Sequence, residues 1–150
     1  MSTLTLWLFL LMAFMAGFFM PVQAGINGLL ARELSSVLAA ATISFLMGTL
    51  GLVLALLLQR ESIPLAGFRQ LQWWHLAGGL MGAFFVFTAA FAAPRIGALL
   101  FMALVLAGQM ASALLLDHQG WLGFRESSIT TGKVLGMACI VAGVWLIRRG

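Results

Sequence analysis

Long apolar blocks, separated only by short polar clusters, fill this sequence from end to end. Five of them stand out, at about residues 4–31, 37–58, 74–93, 96–116 and 131–147. The first is followed by Arg32-Glu33, the second by Gln59-Arg60-Glu61 and the fourth by Asp117-His118-Gln119-Gly120. Trp73 precedes the third, and Arg148-Arg149 close the fifth. Crossing the hydrocarbon core of a bilayer takes about 20 residues as a helix, within a range of roughly 17–25. Backbone groups in lipid must find partners within their own segment, so such blocks become helices. A membrane β-barrel would instead alternate apolar and polar positions in segments of about ten residues. No such alternation occurs. The pattern predicts an all-α, polytopic membrane protein with five transmembrane helices in a single domain spanning residues 1–150.

Composition narrows this further. Apolar residues make up 63% of the 150 positions and charged residues 8%, with a mean hydropathy of +1.09. A soluble domain carries about 25% charged residues because its surface faces water. The first block has a small-residue cleavage site after Ala24, yet it lacks a basic leader. Its apolar stretch also exceeds the roughly 7–15 residues of a signal peptide, so it reads as a retained helix. Cys139 is the single cysteine and sits within an apolar run, as packing material. The net charge of +4 comes from residues scattered among helix ends. Without a basic stripe or stacking platform they mark lipid headgroups and topology, and no nucleic-acid partner is expected.

Five spans place the two chain ends on opposite sides of the membrane. One side then carries Arg60, Arg69, Arg125 and Lys133; the other carries Arg32, Arg95, Arg148 and Arg149. Orientation follows the difference in Lys and Arg between the sides, and here the difference is zero. Dual insertion is expected. Two oppositely inserted copies would form an antiparallel ten-helix homodimer, with the symmetry that inverted-repeat transporters build within one chain.

The polar residues inside the blocks carry the candidate chemistry. No acidic or basic residue lies mid-span, which argues against a buried proton relay or a voltage sensor. Gln23 and Asn27 share one face of the first helix, one turn apart, just after Pro21. Proline removes a backbone donor and should kink that helix. Broken helices beside polar side chains build transporter sites; alternatively, the two amides cap the helix at the membrane surface. Gln109, in the fourth block, must find a partner either across a helix interface or in a wet cavity. Ser44 is a further polar position or an ordinary packing residue, and Trp74 reads as an interfacial belt anchor or, alternatively, as a ring face lining a vestibule. Asp117 and His118 form an interfacial cluster or simply solvate a helix end. Small residues recur four apart, at Ala13/Gly17, Gly78/Gly82, Gly108/Ser112 and Gly132/Gly136, a spacing that lets helices approach closely in lipid. No phosphate-binding loop, metal-ligand pattern or nucleophile elbow occurs. Only Asp117-His118 could be nominated as a catalytic pair, and adjacent residues point about 100° apart on a helix. The chain reads as a non-enzyme without cofactor or metal.

Four stretches resemble the drug/metabolite transporter superfamily, in its small five-helix YdcZ-like branch. They are GFFMPVQAGINGLLAREL, AATISFLMGTLGL, AAPRIGALLFMALVLAGQMASALLLDHQGWLG and GKVLGMACIVAGVWLI. The resemblance covers most of the chain. It implies a half-transporter of the bacterial inner membrane, acting as a homodimer or with a paired homologous chain and moving a small organic solute. Gln23, Asn27, Ser44, Gln109, Asp117 and His118 fall on the polar positions of that branch. Small multidrug exporters of the superfamily carry a central acid in the first helix. This chain lacks one, which argues against proton-coupled export of cationic drugs. The competing reading is a non-transporting membrane-assembly subunit whose polar residues only join helices.

Overall fold

A computed structural model describes residues 3–61 and 71–149. Arg69, one of the basic residues counted above, lies outside them. Five helices are long and apolar enough to cross a membrane: α1 (Thr3–Glu33), α2 (Val37–Gln59), α3 (Ala77–Ile96), α4 (Ala98–Gln119) and α5 (Thr131–Arg149). All regular structure among the described residues is helical. The chain divides into two compact units, Met1–Arg95 and Ile96–Gly150.

In the N-terminal unit, α1 and α2 form an antiparallel hairpin joined by a very short turn. Ser35 adopts a left-handed conformation (φ 51°), and the amides of Ser35 and Ser36 donate to the carbonyls of Arg32 and Ala31. These bonds satisfy acceptors at the end of α1 that have no partner within the helix. Ser36 then caps α2, its Oγ accepting from the Ala39 amide at 3.1 Å. At the far end, the amide of left-handed Arg60 donates to Leu56 and Leu57, and that of Glu61 donates to Leu56. This closes the helix without glycine.

The packed centre of this unit is made of small side chains. Ala24, Ala31, Ala40, Ala41, Ala89, Ala90 and Ala93 are buried, with Val86, Gly28 and Asn27. Small residues let backbones approach closely, so van der Waals contact substitutes for the hydrophobic driving force that lipid removes. α1 meets α3 at Gly28, where an added Cβ would lie 2.9 Å from Pro94 Cγ. A second contact joins α2 to α3, where a Cβ on Gly82 would lie 3.2 Å from the Phe45 ring.

Two helix ends depart from the sequence pattern. α3 does not stop before Pro94 but runs on to Ile96, and the break falls at Gly97, with φ 87°. Proline there removes the donor to Ala90 alone, a small loss one turn from a helix end. The third block also opens with a 3-10 turn at Trp73–Leu76 before α3 begins. α1 continues through Pro21 to Glu33 as one helix. Its 31 residues rise about 46 Å at 1.5 Å each, longer than the roughly 30 Å hydrocarbon core.

The C-terminal unit is the α4–α5 pair. α4 ends at left-handed Gly120, and the loop folds back so that the Ser127 amide donates to the Asp117 carbonyl at 2.7 Å. Thr130 caps α5, with the Val134 amide on its carbonyl and the Lys133 amide on its Oγ1. Lys133 Nζ ties the same loop down through Ser127 Oγ at 2.8 Å and the Ser128 carbonyl at 3.0 Å. Arg149 stacks on Trp145, 3.7 Å above its ring, which keeps its charge at the helix end.

The small-residue pairs play a lesser part within the chain than their spacing predicts. Among the described residues nothing lies within 4 Å of a Cβ placed on Gly17, Gly78, Gly108 or Gly136. Of the glycines in these pairs only Gly82 meets another helix among the described residues. Gly28, outside every pair, makes the closer approach, at 2.9 Å against 3.2 Å for Gly82.

Candidate functional site

Within the N-terminal unit, Gln23 of α1 and Ser44 of α2 open onto one cavity of about 300 Å³. Thr49 and Gly48 of α2 add polar and open wall, while Phe45, Leu52 and Val86 supply the apolar part. Among the described residues no charged side chain lines it. α1 has no acidic or basic side chain before Arg32, and α2 has none along its length. The cavity therefore offers an amide, two hydroxyls and an aromatic ring in an uncharged setting. Such a wall suits a small solute that both donates and accepts hydrogen bonds.

Asn27 lies one turn beyond Gln23 on the same face, yet its surroundings differ. It is only 4% exposed, and its Nδ2 has no hydrogen-bond partner among the described residues. A buried unpaired amide donor costs about 1–3 kcal/mol, so its retention calls for a partner that the single chain does not supply. Neither Gln23 nor Asn27 caps α1. The helix runs six residues past Asn27, about 9 Å, before ending at Glu33.

The other polar residues are placed elsewhere. Trp74 sits in the 3-10 turn, its indole N–H donating to Gln72 Oε1 and its ring 3.8 Å from that of His75. It lines none of the described cavities. Gln109 is exposed midway along α4, its carbonyl accepting from Ser112 Oγ at 3.0 Å. Asp117 lines a cavity of about 370 Å³ inside the C-terminal unit, with Lys133, Met110 and Met137. His118 is exposed in the last turn of α4. Among the described residues no group of three or more His, Cys, Asp or Glu side chains is gathered to hold a metal.

The sequence pairs Gln23 with Asn27 through helical spacing alone. It gives no sign that Ser44, Gly48 and Thr49 face Gln23, because that depends on the register of the α1–α2 hairpin.

Comparison with known proteins agrees with this architecture. The family described as "Putative inner membrane exporter, YdcZ" matches residues 8–146. The inner membrane protein YdcZ of Escherichia coli (strain K12) is 30% identical over 142 residues, covering 89% of this chain and 90% of that protein. No solved structure matches.

Proposed function

The chain belongs to the YdcZ family of inner membrane transporters, and from that premise we propose that it forms one half of a dimeric carrier for a small, uncharged organic solute. In this reading the solute occupies the α1–α2 cavity, and the two halves alternate access to it across the bilayer. The observation that carries the proposal is the wall itself: Gln23, Ser44 and Thr49 converge on one uncharged cavity. The orphaned amide of Asn27 stands one turn away. Polar groups held in lipid without structural partners mark solute pathways. Family membership favours this reading over a passive assembly subunit.

Gly48 provides a direct test, because nothing lies within 4 Å of a Cβ placed there. Gly48→Leu should therefore fold normally while filling the cavity. Stopped-flow light scattering of proteoliposomes against a panel of small uncharged solutes should find solutes carried by the parent chain. Their flux should fall at least about tenfold in Gly48→Leu, as expected for a loss of about 1.4 kcal/mol in the rate-limiting step. Equal flux in a folded variant would remove the cavity from the pathway.

The second half is a copy of this chain inserted the other way. Support comes from the equal basic counts on the two sides. Gln109 adds to it, since an exposed mid-span amide needs a partner in lipid. A compartment-sensitive reporter fused after Gly150 should give signal from both sides of the membrane. Signal from one side alone would rule out the self-paired antiparallel dimer and point to a paired homologous chain.

A further inference from the structure

At one end of the N-terminal unit lies a second and larger cavity, of about 520 Å³, which the transport reading does not use. The last turn of α1, the turn into α2 and the last turn of α3 border it. Arg32, Arg95, Ser35 and Ser36 supply its polar wall, and Gly28 and Pro94 line it where the two helices meet. No acidic residue lines it; Glu33 is exposed and lies outside.

Its donors are largely uncommitted. Among the described residues Arg32 has neither a hydrogen-bond nor an ion-pair partner. Arg95 donates one N–H to the Phe91 carbonyl and stacks 3.9 Å over the Phe91 ring. Stacking holds the plane of the guanidinium and leaves its other N–H groups available. Ser36 Oγ accepts from Ala39 and keeps its own proton to donate. The first amides of α2, those of Val37 and Leu38, have no acceptor within the helix, and the helix dipole is positive at that end.

We infer that this cavity binds a phosphate ester, as the headgroup phosphate of an anionic phospholipid. Two guanidinium forks and two hydroxyls outnumber what the two oxygens of a carboxylate can accept, whereas a phosphate offers more acceptor sites to match them. The site also lies at the right depth. Arg32, Ser36 and Arg95 all sit at the ends of membrane-crossing helices, where headgroups lie. Basic pockets between transmembrane helices take lipid headgroups for this reason. A phosphate bridging Arg32 and Arg95 would also clamp α1 to α3 beside the Gly28–Pro94 contact. This site is independent of the solute pathway, so the flux experiments do not bear on it.

Delipidated full-length chain in neutral detergent can be titrated with short-chain phosphatidylglycerol, short-chain phosphatidylcholine and glycerol 1-phosphate, with bound ligand counted by native mass spectrometry. Phosphatidylglycerol should bind more tightly than phosphatidylcholine. Arg32→Gln and Arg95→Gln should each weaken it about tenfold, the loss expected for charge-assisted hydrogen bonds, while Arg148→Gln should not. Should either glutamine variant misfold by circular dichroism, Arg32→Lys and Arg95→Lys take its place, each binding severalfold more weakly because ammonium lacks the guanidinium fork. Glycerol 1-phosphate binding as well as the lipid, with the same dependence on both arginines, would assign the site to a soluble phosphate ester. Negligible binding of it would assign the site to the lipid. Binding unaffected by Arg32 and Arg95, or no preference for phosphatidylglycerol together with no glycerol 1-phosphate binding, would overturn the inference.

Discussion

Replacing Asn27 with alanine is expected to cut solute flux at least about tenfold while changing stability by less than about 1 kcal/mol. Residues that knit membrane helices together behave differently. An interhelical hydrogen bond in lipid contributes about 0.6 kcal/mol on average and up to about 2 kcal/mol, and removing one partner also strands the other. Among the described residues Asn27 has no such partner on its Nδ2, although it is only 4% exposed. Truncation therefore removes an unsatisfied donor as well as some packing, and the two changes oppose each other. Flux has no such offset, because the amide is one of few polar groups near the α1–α2 cavity. Unfolding in mixed micelles gives the stability, and light scattering of proteoliposomes gives the flux. A variant that loses stability and keeps transport would make Asn27 a helix-joining residue.

Gly28→Leu should have the largest effect on folding, a loss of about 3 kcal/mol or more. A single added carbon on Gly28 already falls 2.9 Å from Pro94 Cγ and 3.8 Å from the Ala90 carbonyl oxygen. A proline ring cannot swing aside, so a branched side chain must push α1 away from α3. Helix propensity works in the opposite direction, since leucine is favoured over glycine by about 0.8 kcal/mol in a helix interior. Gly25→Leu separates the two effects, for Gly25 lies on the same helix with nothing within 4 Å of its added Cβ. The expected result is a monodisperse, stable Gly25→Leu protein and a Gly28→Leu protein that unfolds readily or aggregates. Similar behaviour of the two would mean that α1 and α3 do not depend on this contact.

These two neighbouring residues also mark where sequence reading reaches its limit. Spans were legible because lipid imposes one rule on every stretch of backbone, and runs such as 37–58 obey it without ambiguity. The Gln23–Asn27 pair was legible for a related reason, since helical spacing is local. The end of α3 was less so: Pro94 looks like a stop, yet the true break is set by the positive φ of Gly97. Gly28 was invisible as a contact point because its partner, Pro94, belongs to a different helix. The repeated small-residue pairs are ambiguous for the same reason. Spacing shows where a backbone can be approached, not whether anything in the same chain approaches it. Ser44 and Gly48 join Gln23, and Arg32 joins Arg95, only through tertiary packing.

The central claim is that water and solute reach the α1–α2 cavity. With Cys139→Ser as background, Gln23→Cys, Ser44→Cys and Leu54→Cys can each be exposed to a membrane-impermeant maleimide in proteoliposomes. Thiols react as thiolates, which form only where water reaches them. Gln23 and Ser44 line the cavity, whereas Leu54 is 57% exposed on α2 outside that lining. The account predicts labelling at positions 23 and 44 and none at 54; positions 23 and 44 as unreactive as 54 would contradict it.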